Sequence, residues 1–105
     1  MHDEGLLERC LDCLAAMGVR GVRHKNVFGM RGLLRDNRMF AAVGADTMIV
    51  KLTTDELPDA LNGPGVDRFT PMGQTLGTWV ELRPDVVADD PELRDWLAAG
   101  LRAIR

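Results

Sequence analysis

The stretch from residue 27 to residue 52, VFGMRGLLRDNRMFAAVGADTMIVKL, constrains the fold more than any other part of this chain. It contains three short apolar segments separated by glycine, aspartate and asparagine, which are the residues that tight turns prefer. Asp36 and Asn37 both tolerate the positive φ values of a two-residue hairpin turn. Because connections this short join only antiparallel neighbours, the stretch predicts consecutive antiparallel strands.

The flanking segments predict helices and further strands. Apolar side chains recur at three- and four-residue spacing after Asp3, which predicts a first helix that Asp3 caps and Gly18 ends. Alternation from Val22 to Phe28 predicts a half-exposed strand, and Gly29 to Gly32 predict a turn. The other predicted elements are strands at 33–35, 39–43, 47–52, 68–70 and 78–82, a short helix at 55–61 that Thr53 and Glu56 cap, and a final helix that Asp90 caps.

These elements indicate an α+β fold in a single domain over residues 1–105. We expect an antiparallel sheet of about five strands, with the N- and C-terminal helices packed mainly on one face so that their apolar stripes are buried. The chain is 46% hydrophobic and 28% charged, as ordinary globular proteins are. Its first residues are acidic and no apolar run approaches the ~20 residues that span a bilayer, so we expect a cytoplasmic protein.

Positive charge is concentrated in one part of the chain. The net charge is −3, yet residues 19–40 contain six bases against a single acid, Asp36. Strand pairing is expected to bring five of these bases to one surface, which could bind an acidic protein or, weakly, nucleic acid. The alternative is that they are ordinary solvated charges. The candidate contact residues are Arg23, Lys25, Arg31, Arg35 and Arg38.

The residues associated with catalysis are mostly missing. The chain contains no serine and no tyrosine, which excludes serine-hydrolase triads and tyrosine acids. It has no phosphate-binding glycine motif, and the glycines at 29 and 32 are explained by a turn before phosphate binding. His24 stands between two bases with no acid nearby in sequence to orient it as a catalytic base. We therefore expect no enzymatic activity and no cofactor.

Cys10 and Cys13 form a C-x-x-C motif inside the first predicted helix. Redox motifs of this kind lie at a helix N-terminus, where the helix dipole lowers the thiol pKa. A zinc site would need two further ligands, and no second C-x-x-C is present. Core packing is therefore the favoured interpretation, with a redox or metal role as the alternative.

The order of several short motifs resembles the N-terminal domain of the TfoX/Sxy family of competence regulators. The resemblance covers nearly the whole chain and includes a final Trp96-bearing helix. The motifs that carry it are Phe28-Gly29, Gly32-Leu33, Met39-Phe40-Ala41, Ile49-Val50-Lys51 and Asp90-Pro91-Glu92-Leu93.

The resemblance implies an α+β fold and kinship with regulators that assist the cyclic-AMP receptor protein at competence promoters. Those regulators carry a second, helical C-terminal domain, so we expect a single-domain relative that lacks it. Two functions remain open: a regulatory binding module that acts through protein contacts near transcription, and a small-molecule binder or enzyme that uses a pocket between sheet and helices. We also expect a homodimer, because exposed strands in small domains pair across two-fold axes.

Overall fold

The computed structural model describes all residues from 1 to 105. It contains three α-helices and six strands, with two 3₁₀ turns at Pro71–Gly73 and Pro84–Val87. The helices are α1 (Glu4–Ala16), α2 (Leu57–Leu61) and α3 (Asp90–Ala103). The strands are β1 (Val22–Val27), β2 (Met30–Arg35), β3 (Arg38–Val43), β4 (Met48–Lys51), β5 (Val66–Arg68) and β6 (Trp79–Leu82).

The strands form one antiparallel sheet in the order β1-β2-β3-β4-β6-β5. The α+β prediction is confirmed, with six strands rather than about five. Helices α1 and α3 pack against each other and bury one face of the sheet in the main core. The other face carries a small separate cluster in which Ala42, Ile49 and Trp79 are buried. No helix packs on this second face, which we call the open face.

Two tight turns shape the first three strands. Asp36 and Asn37 have φ values of 53° and 62°, which confirms the predicted two-residue turn. The predicted turn from Gly29 to Gly32 is wrong, because Phe28 and Gly29 make that turn with φ values of 53° and 76°. Gly32 lies within β2 for a packing reason: a β-carbon there would stand 2.7 Å from the Met39 sulfur.

The predicted cap is present at the start of α1 and absent at the start of α3. The Asp3 carboxylate accepts a hydrogen bond from the Leu6 amide, and Gly18, with φ 77°, ends α1 as predicted. Helix α3 is instead preceded by Asp89, which makes no side-chain cap. The carboxylate of Asp90 binds Arg9 of α1, so this residue joins the two helices.

A β-bulge in β3 brings α3 onto the sheet. Leu33 pairs with Ala41 and Leu34 with Met39, which leaves Phe40 as the extra residue. Phe40 and Ala41 are consecutive, yet both are fully buried in the helix-side core. The alternation of the strand therefore resets at this point, and the side chains before and after the bulge keep their faces.

None of the helices combines the length and the apolar character that crossing a bilayer requires.

Candidate functional site

The strand register distributes the five candidate bases over both faces of one corner of the sheet. His24 pairs with Leu33, which belongs to the helix-side core, so its neighbours Arg23 and Lys25 point to the open face. The other three, Arg31, Arg35 and Arg38, lie on the helix side. The structure therefore brings together one pair and one trio, on opposite sides of the same three strands.

Arg31 is bound to the side chains of β1. Its Nε donates a hydrogen bond to His24 Nδ1 and its Nη1 donates to Asn26 Oδ1, both at 2.8 Å. The guanidinium therefore holds two side chains of the neighbouring strand on the helix-side face. His24 accepts this hydrogen bond through Nδ1, so its imidazole contributes to the contacts between β1 and β2.

Arg35 and Arg38 open onto a groove beside the end of α3. The groove has a volume of about 620 Å³, and Arg102 and Arg105 also line it, with Asp36 as its one acid. Arg38 donates a hydrogen bond to the Ile104 carbonyl oxygen. Sequence reasoning missed the two C-terminal arginines because only the packing of α3 on the sheet brings them beside the Asp36-Asn37 turn.

Arg102 is itself engaged, because its Nε lies 2.7 Å from Glu56 Oε1. The Glu56 backbone N–H donates a hydrogen bond to the Thr53 hydroxyl at 3.2 Å, which is one half of the predicted capping box. The groove is thus lined by arginines of which two already stabilise the fold. None of the five candidate bases makes an ion pair within the chain, and Arg23, Lys25 and Arg35 also donate no side-chain hydrogen bond.

Strand β1 forms one edge of the sheet, with β2 as its only strand neighbour. Its four central side chains, from Arg23 to Asn26, are exposed. A two-residue turn makes its flanking residues, Val27 and Met30, a hydrogen-bonded pair. By alternation, the backbone groups of Arg23 and Lys25 face β2, while those of Val22, His24 and Asn26 face outward without a strand partner.

Phe28 occupies the tip of the hairpin and is 89% exposed. Its φ of 53° places it in the left-handed region, which costs a residue with a β-carbon about 1–2 kcal/mol. Alternation along the sequence predicts Phe28 as the last residue of the first strand, whereas the strand ends at Val27. An aromatic residue beside Gly29 in a predicted turn was the signal available for this position. The hairpin therefore presents an exposed aromatic ring at the end of a basic edge strand, on a residue whose backbone conformation is strained.

Both cysteines are reduced and buried within the core that α1 forms. Burial raises the pKa of the Cys10 thiol to about 12, and the nearby Cys13 adds to the rise. Burial also raises the pKa of Cys13, with Asp90 contributing in the same direction. These shifts favour the protonated thiol, which is neither a nucleophile nor a metal ligand. The structure groups no three His, Cys, Asp or Glu side chains that could hold a metal ion.

A cavity of about 360 Å³ lies between the start of α1 and the strands β4 and β6. Its charged lining includes Arg9, Asp3 and Asp46. Arg9 donates to the Val87 carbonyl oxygen at 2.9 Å and to Asp90, and Asp3 caps α1. Two of the three charged side chains therefore hold the chain together in this region.

The model of the TfoX N-terminal domain family matches residues 12–104. The match spans all six strands, α2 and α3, together with the last five residues of α1. No curated protein matches the chain. The expected family is confirmed: the chain belongs to the TfoX N-terminal domain family.

Proposed function

We propose that this chain is a regulatory binding module that acts through contacts with another protein near transcription. The observation that carries the proposal is the first hairpin, where an edge strand with exposed basic side chains ends in the exposed ring of Phe28. Exposed aromatic and basic side chains together are typical of surfaces that bind other proteins. Membership of the TfoX N-terminal domain family supports a regulatory role of this kind.

The charge of the hairpin selects the class of partner. Residues 19–40 contain one acid, Asp36, whereas the chain as a whole has a net charge of −3. The rest of the surface therefore repels an acidic protein that the hairpin attracts, and this contrast orients the encounter. Duplex DNA meets the same repulsion, so we expect its binding to be weak and strongly dependent on salt.

A site-specific photo-crosslinker tests the proposal in the native cell. Placed at position 28, it should capture one transcription-associated protein, which is then purified and titrated against the wild-type chain and an Arg23→Gln/Lys25→Gln variant. We expect binding that weakens as salt is raised and that the double substitution reduces by about tenfold, because each close charge pair contributes on the order of 0.5–1 kcal/mol.

The matched control places the crosslinker at Asp59 on α2, which is exposed and lies outside the hairpin. The same protein captured equally at position 59 contradicts a hairpin interface. A purified partner that binds the double variant as tightly as the wild type, or a capture product that is nucleic acid, also contradicts the proposal.

A further inference from the structure

We infer that β1 binds an acidic extended segment of the partner as an additional antiparallel strand of the sheet. The inference rests on the proposed function and names the chemistry of its partner. The strand has six residues, and on its outer side the backbone groups of Val22, His24 and Asn26 have no strand partner. An exposed edge of this length is a template for strand addition.

Two side chains of β1 are held by hydrogen bonds to the neighbouring strand β2 and not to the outer edge. Arg31 of β2 holds His24 and Asn26 on the helix-side face. Arg23 and Lys25 extend on the open face, where no helix lies. An incoming strand would therefore meet backbone groups without a strand partner, with two exposed cations on one face and a hydrogen-bonded imidazole and amide on the other.

A second copy of this chain is a poor occupant of the edge. In a two-fold antiparallel pair, the outward-facing residues must pair with outward-facing residues, which permits three central registers. These registers place Arg23 opposite Lys25, Lys25 opposite Lys25, or Arg23 opposite Arg23. Because like charges directly opposite each other are destabilising, each of these three central registers opposes self-pairing.

The strand register also specifies which residues a partner strand should carry opposite Arg23 and Lys25. In an antiparallel partner strand, the residues opposite Arg23 and Lys25 are two positions apart and share one face. Carboxylates at those two positions would form two cross-strand ion pairs on the open face. The preferred segment is therefore Glu-x-Glu or Asp-x-Asp in extended conformation, with a small polar residue between the acids, opposite His24.

The opposite edge of the sheet is a weaker site for such a segment. Strand β5 has three residues, and Asp67 at its centre points to the same open face as Glu81. An acidic strand there would place like charges opposite each other. The two edges thus differ in both length and charge, which makes β5 an internal control.

The experiment uses blocked Val-Glu-Thr-Glu-Val as the probe and Val-Lys-Thr-Lys-Val as its control, titrated into the ¹⁵N-labelled full chain. We expect the acidic peptide to shift the resonances of β1 and to slow hydrogen exchange at the outward amides of His24 and Asn26. The amides of Val66 and Arg68 on β5 should not change. Equal binding of the basic peptide, or changes confined to β5, would overturn the inference.

Two variants at one position separate backbone pairing from side-chain contact. His24→Pro removes an outward N–H, whereas His24→Ala removes the imidazole and keeps that N–H. We expect His24→Pro to lose peptide binding and His24→Ala to retain it. Arg68→Pro, at an outward position of β5, should bind like the wild type. Peptide binding that survives in a folded His24→Pro variant would show that the edge is not used.

A charge reversal leaves the backbone unchanged and keeps the test decisive if the proline variant does not fold. Arg23→Glu/Lys25→Glu should reverse the preference between the two peptides, with the acidic peptide bound about tenfold more weakly. An unchanged preference would overturn the inference.

If the native partner binds His24→Pro as well as it binds the wild type, strand addition is wrong while the proposed function stands. If neither partner nor peptide binds the wild type, both are wrong.

Discussion

Gly100 of α3 lies so close to Phe40 of β3 that a β-carbon on Gly100 would stand 2.7 Å from the Phe40 carbonyl oxygen. The same carbon would lie 3.1 Å from Cδ2 of the Phe40 ring. Phe40 is the extra residue of the β3 bulge, so the glycine seats the helix on the one irregular point of the sheet. The position of α3 on the sheet therefore depends on the bulge at Phe40 and on the absence of a side chain at Gly100.

Gly100→Ala should therefore destabilise the protein although alanine favours helix. The methyl group would meet a backbone atom that cannot move without displacing the strand, and overpacking of this kind costs about 1–3 kcal/mol. The higher helix propensity of alanine stabilises the helix by at most about 1 kcal/mol. We expect a net loss in the free energy of unfolding, measured by urea denaturation. Gly5→Ala on α1 is the control, because its nearest neighbour is at 3.4 Å and a stabilising effect is expected.

Phe28→Asn should stabilise the protein. Asparagine followed by Gly29 suits a turn with positive φ at both positions, and the exposed ring contributes little burial. We expect the free energy of unfolding to rise by about 0.5–1 kcal/mol. If Phe28 is a binding residue, the same variant should bind the partner more weakly. A loss of stability on this substitution would show that the ring makes packing contacts in solution.

The buried thiol of Cys10 should make stability fall in alkaline solution. The folded protein raises the pKa of Cys10 from 9.0 to about 12, so above pH 9 the unfolded chain releases a proton that the folded chain keeps. Unfolding is thereby favoured as pH rises from 9 towards 12, by at most about 1.4 kcal/mol per pH unit. Urea denaturation at several pH values measures this slope. Cys10→Ala should be less stable by about 1–3 kcal/mol and show a shallower slope.

Arg38→Gln should lower stability more than Arg23→Gln. The guanidinium of Arg38 donates to the Ile104 carbonyl oxygen at the end of α3, and a hydrogen bond of this kind contributes about 0.5–1.5 kcal/mol. Arg23 is exposed and takes part in none of the ion pairs, so its substitution should change the free energy of unfolding by less than about 0.5 kcal/mol. Thermal unfolding of the two variants compares them directly. Equal midpoints would contradict a stabilising role for Arg38.

The expected homodimer stays a prediction that light scattering tests at high micromolar concentration. Since symmetric pairing of β1 in its central registers places bases opposite each other, a dimer should use another surface. His24→Pro should then leave the molar mass unchanged. A monomer mass for the wild-type chain would show that the dimer prediction is wrong, and a mass that falls only in His24→Pro would show that β1 pairs with itself.

The sequence by itself determined the features that depend on neighbouring residues. Asp36 and Asn37 tolerate positive φ, and Gly18 can end a helix because it has no β-carbon. The periodicity of apolar residues predicted the two long helices and the antiparallel strands, although it did not give the number of strands correctly, and the order of motifs indicated the family. These properties are local, since each depends on backbone preference or on spacing along a single element.

The tertiary structure decided which residues share a surface. The Phe28-Gly29 turn sets the pairing of β1 with β2, and that register separates Arg23 and Lys25 from the other three bases. The bulge at Phe40 and the seating of Gly100 place Arg102 beside the groove of Arg35 and Arg38. A shift of one residue moves every side chain of a strand to the other face, and register is chosen by the packing of the whole core. Spacing along the sequence cannot supply that choice.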